Sequence, residues 1–210
     1  MERIKRINIY GASGHGKVVA DIINSIDNTT LGYILDDNEN LKEFEGHQVI
    51  HNLSRDVLNY DTVLAIGNNT IRKKVANNFK GTYASFLGHN SAVVSSSAII
   101  SEGSVIMPNA TVNAAASIGK HSIVNTASVI EHDVVLDDFV HVSPGAVITG
   151  NVRVGEGTQV GAGATIIPGI EIGKWVTIGA GAVIIENIPD GAVVVGNPGR
   201  IIKFKEFENA

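Results

Sequence analysis

The sequence predicts a small α/β domain followed by a parallel β-helix. From position 94 to position 184 an aliphatic residue returns at every sixth position without exception. An amphipathic helix repeats its apolar positions every three to four residues, so this period excludes a helix and is typical of a β-helix built from short repeats. Before the repeat, three short apolar segments alternate with helical patterns, which indicates a small parallel sheet.

The α/β domain begins with a predicted strand over residues 7–10 and a predicted helix that runs through residues 17–23. The turn between them, residues 11–16, reads Gly-Ala-Ser-Gly-His-Gly. Backbone N–H groups in such a turn, at the positive end of a helix dipole, can approach a phosphate. The spacing differs from the G-x-G-x-x-G fingerprint of dinucleotide-binding proteins, so NAD binding is not favoured. A turn that only closes a strand–helix corner is the alternative.

Two further predicted strands end in polar or glycine residues. The strand over residues 31–35 is followed by Asp36 and Asp37, and the strand over residues 62–66 by Gly67 and Asn68, before a predicted helix over residues 71–79. Because the carboxyl ends of parallel strands meet at one edge of a sheet, we expect these residues to form a small-ligand site. For the two aspartates a solvated turn is the alternative.

The repeat predicts short strands separated by tight corners. The aliphatic position i and the small or β-branched position i+4 are an even number of residues apart, so both point to the inside. Position i+3 favours residues that tolerate a positive φ. These corner residues are Gly103, Asn109, Asp133, Gly145, Asn151, Gly157, Gly163, Gly169, Gly181 and Asn187.

Composition excludes several classes of function. The net charge of −5 and the pI of about 5.8 argue against a nucleic-acid or membrane surface. The chain has no cysteine, and no pair of its seven histidines has metal-ligand spacing, so we expect no disulfide, no cysteine nucleophile and no metal. We find no signal peptide and no membrane span, and expect a cytoplasmic protein.

His132 is the candidate catalytic residue within the repeat. It occupies a corner position, i+2, which points outward, and its neighbours in the stack of eighteen-residue coils, Ala114 and Gly150, are small. Asp133 follows directly, and a carboxylate beside an imidazole fixes its tautomer and raises its basicity. A corner histidine that only decorates the surface is the alternative.

The chain resembles the bacterial nucleotide-amino-sugar N-acetyltransferases over nearly its whole length. The resemblance rests on residues 9–16, 35–37 and 65–74 in the first half and on residues 125–133 (Asn-Thr-Ala-Ser-Val-Ile-Glu-His-Asp) in the second. It implies a Rossmann-like nucleotide-sugar-binding domain, residues 1–82, and a left-handed parallel β-helix with a C-terminal tail, residues 83–210. It also implies a homotrimer with the active site at the subunit interface.

The resemblance implies acetyl transfer from acetyl-CoA to the amino group of a UDP-linked 4-amino-4,6-dideoxy sugar of the bacillosamine type. It assigns His132 as the general base and Asp133 as the residue that orients it, at a position where the family has glutamate. It also implies that the N–H of Gly150 donates to the developing oxyanion. Asn125 either positions the amine or is an inward asparagine stacked on a neighbour. With no nucleophile motif, direct transfer is favoured over an acyl-enzyme.

The resemblance also implies two binding regions. The nucleotide sugar is expected to contact Gly14, His15, Gly16, Asp36, Asp37, Gly67 and Asn68. Acetyl-CoA is expected to contact His141, Gly150, Ala162, Ala180, Gly196, Asn197, Pro198 and Lys203. Lys205 is more consistent with a solvated tail, and His89 with a structural hydrogen bond.

Three alternatives stay open from the sequence. Two of them change the acceptor, to a GDP-perosamine-type sugar or to a sialic acid that is acetylated on oxygen. The third is a non-catalytic scaffold that binds a nucleotide sugar or CoA. His132 and Asp133 beside small residues argue against the scaffold, which needs no base at that corner.

Overall fold

We describe the protein from a computed structural model, in which residues 4–205 are described. Residues 1–3 and 206–210, the outer ends of the two predicted domains, lie outside that part. Within it the chain forms an α/β domain and then a triangular β-helix, in the predicted order. Among its helices, none combines the length and the apolar composition needed to cross a membrane.

The α/β domain contains more strands than the sequence predicts. Its elements are β1 Lys5–Tyr10, α1 Gly14–Ser25, β2 Thr29–Leu35, β3 Glu43–Phe44, β4 His47–Ile50, α2 Arg55–Leu58, β5 Asp61–Leu64 and α3 Asn69–Asn78. The sheet order is β3-β4-β2-β1-β5, with every pair parallel except β3 and β4. The prediction of three strands was therefore incomplete. It missed the β3–β4 hairpin because a two-residue strand shows no apolar alternation.

Helix α1 packs on the sheet through Val19, Ile22 and Ile23, which are fully buried. The helix approaches the preceding turn so closely that a Cβ at Gly16 would lie 2.5 Å from the carbonyl oxygen of Gly11. Gly16 is thus required for packing. Gly11 itself has a φ of +116°, which other residues rarely adopt.

The β-helix has three flat faces, which we number by their strands. Face 1 contains β7 Val93–Val94, β10 Thr111–Val112, β13 Val129–Ile130, β16 Val147–Ile148, β19 Thr165–Ile166 and β22 Val183–Ile184. Face 2 contains β8 Ile99–Ile100, β11 Ser117–Ile118, β14 Val135–Leu136, β17 Arg153–Val154 and β20 Glu171–Ile172. Face 3 contains β6 Phe86–Gly88, β9 Ser104–Ile106, β12 Ile123–Val124, β15 His141–Val142, β18 Gln159–Val160, β21 Thr177–Ile178, β23 Ala192–Val195 and β24 Arg200–Phe204.

The register confirms the predicted coils. Each strand of the regular repeat pairs in parallel with the strand eighteen residues further on, as in Thr111 with Val129 and Val129 with Val147, without an inserted loop. The aliphatic positions of the repeat form one continuous core, in which Val112, Ile130 and Ile148 are fully buried. The last coil departs from this pattern, because β23 pairs with β21 at a spacing of sixteen residues, as in Thr177 with Val193, and β24 returns antiparallel to β23.

The corners adopt the predicted left-handed backbone, with one exception. Positive φ occurs at every sixth residue from 103 to 181, including five residues that the sequence did not suggest: Ala115, His121, Ala127, Phe139 and Trp175. The coil geometry therefore imposes this conformation even where the side chain disfavours it. The prediction for Asn187 was wrong, because its backbone is not left-handed and its side-chain oxygen instead accepts a hydrogen bond of 2.9 Å from the N–H of Glu171.

The α/β domain packs on face 3 and on the corner between faces 2 and 3, which we call corner 2–3. Leu87, Val105 and Ile123 of face 3 share a core with the sheet and helix α1. At corner 2–3, Asn69 donates to the carbonyl oxygens of Gly157 (3.0 Å) and Thr158 (3.3 Å). The contact between the two domains thus combines a shared apolar core with hydrogen bonds between polar groups.

Three histidines in and beside this contact predict an acid-sensitive fold. Burial lowers the pKa of His15, His121 and His141 to about 4, and the nearby Arg72 adds to the effect. Between pH 6.5 and 4 the unfolded chain binds more protons than the folded chain, so the free energy of unfolding decreases as the pH is lowered through this range. We expect the melting temperature to drop steadily from pH 7 to pH 5. His47→Ala, at an exposed site, should leave that slope unchanged, and a flat profile would contradict the prediction.

Candidate active site

His132 and Asp133 form an exposed pair at the corner between faces 1 and 2, corner 1–2. Nδ1 of His132 lies 2.9 Å from Oδ2 of Asp133, and both side chains are more than half exposed. The carboxylate accepts only from a protonated Nδ1, so Nε2 is left as the basic nitrogen. The hydrogen bond to Asp133 raises the pKa of His132 above its ordinary value, although desolvation acts in the opposite direction. The pair therefore has the geometry of an oriented general base.

Gly150 lies directly beside this imidazole, one coil further on. A Cβ at Gly150 would lie 2.7 Å from Cε1 and 2.8 Å from Nε2 of His132. Its φ is not left-handed, so the space taken by the imidazole, and not the backbone, is what excludes a side chain. The Gly150 carbonyl accepts from Gly169, whereas its N–H has no acceptor within residues 4–205. That N–H can therefore serve a ligand next to Nε2.

Gly150→Ala is expected to lower kcat by roughly a hundredfold, because the methyl group displaces the imidazole by about an ångström from its working position. The melting temperature should change little, since the backbone accepts alanine and the exposed ring can move outward. Kinetics and thermal unfolding of the variant test both statements. Gly88→Ala is the matched control, because its Cβ would meet only Phe86 at an ordinary 3.5 Å. Equal kcat in the two variants would contradict the prediction.

Asn125 and His141 lie on another side of the β-helix, where face 3 meets face 1 (corner 3–1). Nδ2 of Asn125 lies 3.0 Å from Nε2 of His141, and Oδ1 accepts from the N–H of Thr126 at 2.7 Å. Nδ1 of His141 lies 3.2 Å from the carbonyl oxygen of Gly67 in the α/β domain. Asn125 is thus hydrogen-bonded to His141 and to the backbone of Thr126, and His141 faces the α/β domain.

The carboxyl ends of β1, β2 and β5 surround a cleft of about 380 Å³. The amino ends of α1 and α3 open beside it, which favours a phosphate. Four predicted substrate residues line the cleft together: Asp36, Asp37, Gly67 and Asn68. Tyr10 and Ile71, which the sequence analysis did not select, line it too.

Several of the predicted substrate residues also have a local structural role. Asp36 accepts from the N–H groups of Ala12 and Asn38, both at 2.8 Å, which joins two loops of the cleft. Asp37 accepts from the hydroxyl of Tyr10 at 2.5 Å. Asn68 caps α3 by accepting from the N–H of Ile71 at 3.0 Å. These bonds fix the side chains that line the cleft to the neighbouring loops and to the start of α3.

The three predicted substrate residues of the glycine-rich turn have different surroundings in the structure. Gly14 is exposed at the start of α1, and Gly16 is buried for packing. His15 turns toward the β-helix, with its ring centroid 6.3 Å from that of His141 and its Nε2 buried without a partner. None of the three is among the residues that line the cleft.

The predicted acetyl-CoA residues do not all lie together: Gly150 is at corner 1–2 and His141 on face 3, and the others are at corner 3–1 or in β24 and the loop before it. Ala162 and Ala180 are exposed at corner 3–1, one coil apart. Gly196, Asn197 and Pro198 form the exposed loop between β23 and β24, and Lys203 is exposed on β24. Lys205 differs, because its ammonium group donates to the carbonyl oxygen of Trp175 at 2.8 Å and so belongs to the fold.

Within one chain, the cleft and the candidate base lie on different sides of the β-helix. The α/β domain packs on face 3 and corner 2–3, whereas His132 is on corner 1–2, opposite face 3. The structure therefore assembles two groups of predicted residues, one around His132 and one around the cleft, and does not bring them together. In the described part of the chain, no cluster of potential ligands could hold a metal ion.

Arg72 is the important residue that the sequence analysis did not select. It is 1% exposed and donates five hydrogen bonds, to carbonyl or amide oxygens of Ile66, Gly67, Asn69, His121 and Phe139. Two of these acceptors belong to the β-helix and two to the loop that lines the cleft. A basic residue on a predicted helix gives no signal of such burial.

Comparison with known proteins identifies both halves of the chain. The model of the PglD N-terminal domain matches residues 6–79, and that of the bacterial transferase hexapeptide (six repeats) matches residues 151–186. UDP-N-acetylbacillosamine N-acetyltransferase from Bacillus subtilis is 41% identical over 115 residues. That match covers 50% of this chain and 52%, about half, of the relative.

Solved structures match over nearly the full length. The acetyltransferase domain of PglB from Neisseria gonorrhoeae, in complex with acetyl coenzyme A, is 40% identical with a TM-score of 0.86, covering 94% of this chain and 99% of that chain. A mutant of perosamine N-acetyltransferase from Caulobacter crescentus, in complex with CoA and GDP-perosamine, is 32% identical with a TM-score of 0.89, covering 95% and 98%. These similarities confirm the predicted left-handed β-helix, and the chain belongs to the sugar N-acetyltransferases of the hexapeptide family, which are acyltransferases.

Proposed function

We propose that this protein transfers the acetyl group of acetyl-CoA to the amino group of a UDP-linked 4-amino-4,6-dideoxy sugar of the bacillosamine type. The observation that carries the proposal is the exposed His132–Asp133 pair with the unobstructed Gly150 at its side. The named activity of the Bacillus relative supports the acceptor, and the acetyl coenzyme A bound to the Neisseria domain supports the donor. A cytoplasmic location and the division between residues 82 and 83 remain predictions from the sequence.

In the proposed mechanism His132 is the general base. Its Nε2 accepts a proton from the acceptor amine while the nitrogen bonds to the acetyl carbon, and Asp133 stabilises the imidazolium through Nδ1–H. The N–H of Gly150 donates to the carbonyl oxygen as negative charge develops on it. The thiolate of CoA then leaves, and His132 returns its proton to that thiolate. We infer direct transfer, because the chain has no cysteine and, among residues 4–205, no serine is hydrogen-bonded to His132 to form an acyl-enzyme.

The separation of the two residue groups supports a site shared between copies of the chain. A substrate held in the cleft, on the face 3 side, can reach His132 only if that histidine belongs to another copy of the chain. Face 1, which connects corner 3–1 to corner 1–2, carries partly or fully exposed Val93, Val129, Val147 and Val183. Such an apolar face favours packing against a copy, and we propose the trimer that the sequence predicts.

An acetyl-transfer assay tests the proposed activity. Release of CoA thiol is followed with acetyl-CoA and a panel of acceptors: UDP-linked 4-amino sugars, GDP-perosamine and sialic acid. Turnover with a UDP-linked 4-amino sugar at least ten times more efficient than with the others is expected. Absence of turnover with every amino sugar would leave only a binding scaffold.

Complementation tests the shared site. Gly67→Trp fills the cleft without backbone strain, because the space beside Gly67 is open and its φ is not left-handed. His132→Ala removes the base. Each variant alone should be inactive, but trimers assembled from both should regain about a quarter of the wild-type sites, each with a cleft from one chain and His132 from the other. No recovery in mixed trimers would place the whole site within one chain.

A GDP-linked acceptor is the second candidate. The similarity to the Caulobacter perosamine N-acetyltransferase covers 95% of this chain and so includes the cleft. The Bacillus relative is more similar but matches only half of this chain. The acceptor panel separates the two nucleotides directly, and preference for GDP-perosamine would replace the first proposal.

A further inference from the structure

Corner 1–2, which carries His132 and Gly150, has a second carboxylate that the proposed mechanism does not use. Glu131 directly precedes His132, and its Oε2 accepts from the backbone N–H of His132 at 3.4 Å. The carboxylate therefore lies at the corner itself. Its negative charge also contributes to the raised pKa of His132, after the hydrogen bond and the charge of Asp133. Glu131 is thus close enough to act on a group that approaches the imidazole.

Glu131 has no cationic partner of its own. Among residues 4–205, no lysine or arginine forms an ion pair with Glu131 or Asp133. The residues stacked on Glu131 in the coils before and after it, Asn113 and Thr149, are uncharged. Asp133 is occupied by Nδ1 of His132, whereas Glu131 makes only its one long hydrogen bond. One carboxylate beside the base is therefore available to a ligand, and its charge favours a cation.

An amine matches this arrangement better than a hydroxyl group does. An alkyl amine is largely protonated at neutral pH, so the acceptor sugar arrives as a cation. After it releases one proton to water, the nitrogen still carries two N–H groups, one for Nε2 of His132 and one for the carboxylate of Glu131. Its lone pair is then directed at the acetyl carbon beside Gly150. A hydroxyl group has a single proton, so it leaves one of the two acceptors unpaired.

Resting on the proposed function, we propose that Glu131 binds the nitrogen of the acceptor, first as an ammonium and then as the free amine, and so selects amines over hydroxyl groups. The same charge repels an acceptor that carries a carboxylate near its reacting group, so sialic acid is disfavoured. Glu131 selects the reacting group and not the nucleotide, since a UDP-linked and a GDP-linked amino sugar present the same nitrogen to it.

Glu131→Gln tests the role, because glutamine keeps the size of the side chain and removes its charge. The UDP-linked 4-amino sugar is the substrate, and its 4-hydroxy analogue is a competitive inhibitor. We expect kcat/KM for the amino sugar to fall roughly ten- to a hundredfold, the contribution of a hydrogen bond to a charged group. The Ki of the hydroxy analogue should stay within about threefold of wild type, because a hydroxyl group gains little from the carboxylate.

Two further variants control for charge and reach. Glu171→Gln is the matched control, because it removes an exposed carboxylate from face 2 and leaves corner 1–2 unchanged. It should keep the wild-type kcat/KM. Glu131→Asp retains the charge with a side chain one methylene shorter, so it should recover part of the activity that Glu131→Gln loses.

Three results would overturn the inference. The first is a wild-type kcat/KM in Glu131→Gln. The second is an equal loss for the amino sugar and for the hydroxy analogue, which means that Glu131 only shapes the corner. The third is a shift of the acid limb of the pH profile with an unchanged plateau, which means that Glu131 acts only on the pKa of His132. An inactive wild type would instead overturn the proposed function, so the two failures are distinguishable.

Discussion

His132→Ala is expected to lower kcat by roughly a thousandfold, the usual contribution of a positioned general base. The acceptor amine must lose a proton as it attacks, and within the described corner no other side chain offers a neutral nitrogen next to the N–H of Gly150. Because the imidazole is exposed and supports no packing, the variant should keep the wild-type melting temperature and its affinity for acetyl-CoA. Thiol-release kinetics, thermal unfolding and a CoA-binding titration measure the three quantities.

The pH profile gives an independent test of the same assignment. Only the neutral imidazole is a base, and its pKa is raised by Asp133, so kcat/KM should fall as pH drops through a value above 6.5. Asp133→Asn removes the cause of the rise and should move this acid limb to lower pH. His47→Ala, at an exposed histidine in the α/β domain, is the control for both experiments. Near-normal kcat in His132→Ala, or an acid limb that does not move in Asp133→Asn, would refute the base assignment.

The sequence predicted the β-helix almost completely because one local rule determines it. A period of six places Ile130 inside, His132 outside and Asp133 at the left-handed corner, and the stack of eighteen brings Gly150 to His132. No long-range information is needed, since each coil repeats the previous one. This is why the candidate pair could be placed at an outward corner beside Gly150 before its geometry was known.

The contact between the domains could not be predicted in the same way. Arg72 and Asn69 bind backbone carbonyl groups at corner 2–3, and a carbonyl acceptor leaves no mark in the amino-acid sequence. For the same reason the hydrogen bond between His141 and Gly67 was not predicted. The family resemblance assigned His141 only to the binding of acetyl-CoA. The separation of the cleft from His132 also depends on which face the α/β domain covers, and the repeat does not specify that face.

Arg72→Leu is expected to destabilise the protein by about 3–5 kcal/mol, the usual cost of removing one partner from a buried charged network. Arg72 is a buried cation without a carboxylate partner in the described structure, and burial lowers its pKa to about 9. Its five donors instead satisfy oxygens from the cleft loop, α3 and two coils. Leucine would leave those oxygens buried and unpaired, so both the domain contact and the loop around Gly67 should loosen.

Urea unfolding at pH 7.5 measures this effect, with the α/β domain followed by the loss of its helices. Lys74→Leu is the matched control: Lys74 is on the same helix, is exposed, and should change the unfolding free energy by less than about 0.5 kcal/mol. Arg72→Lys should recover only part of the loss, because an ammonium has three donors and no planar fork. An Arg72→Leu variant within about 1 kcal/mol of wild type would mean that water replaces the lost donors. The guanidinium would then not be what joins the cleft to the β-helix.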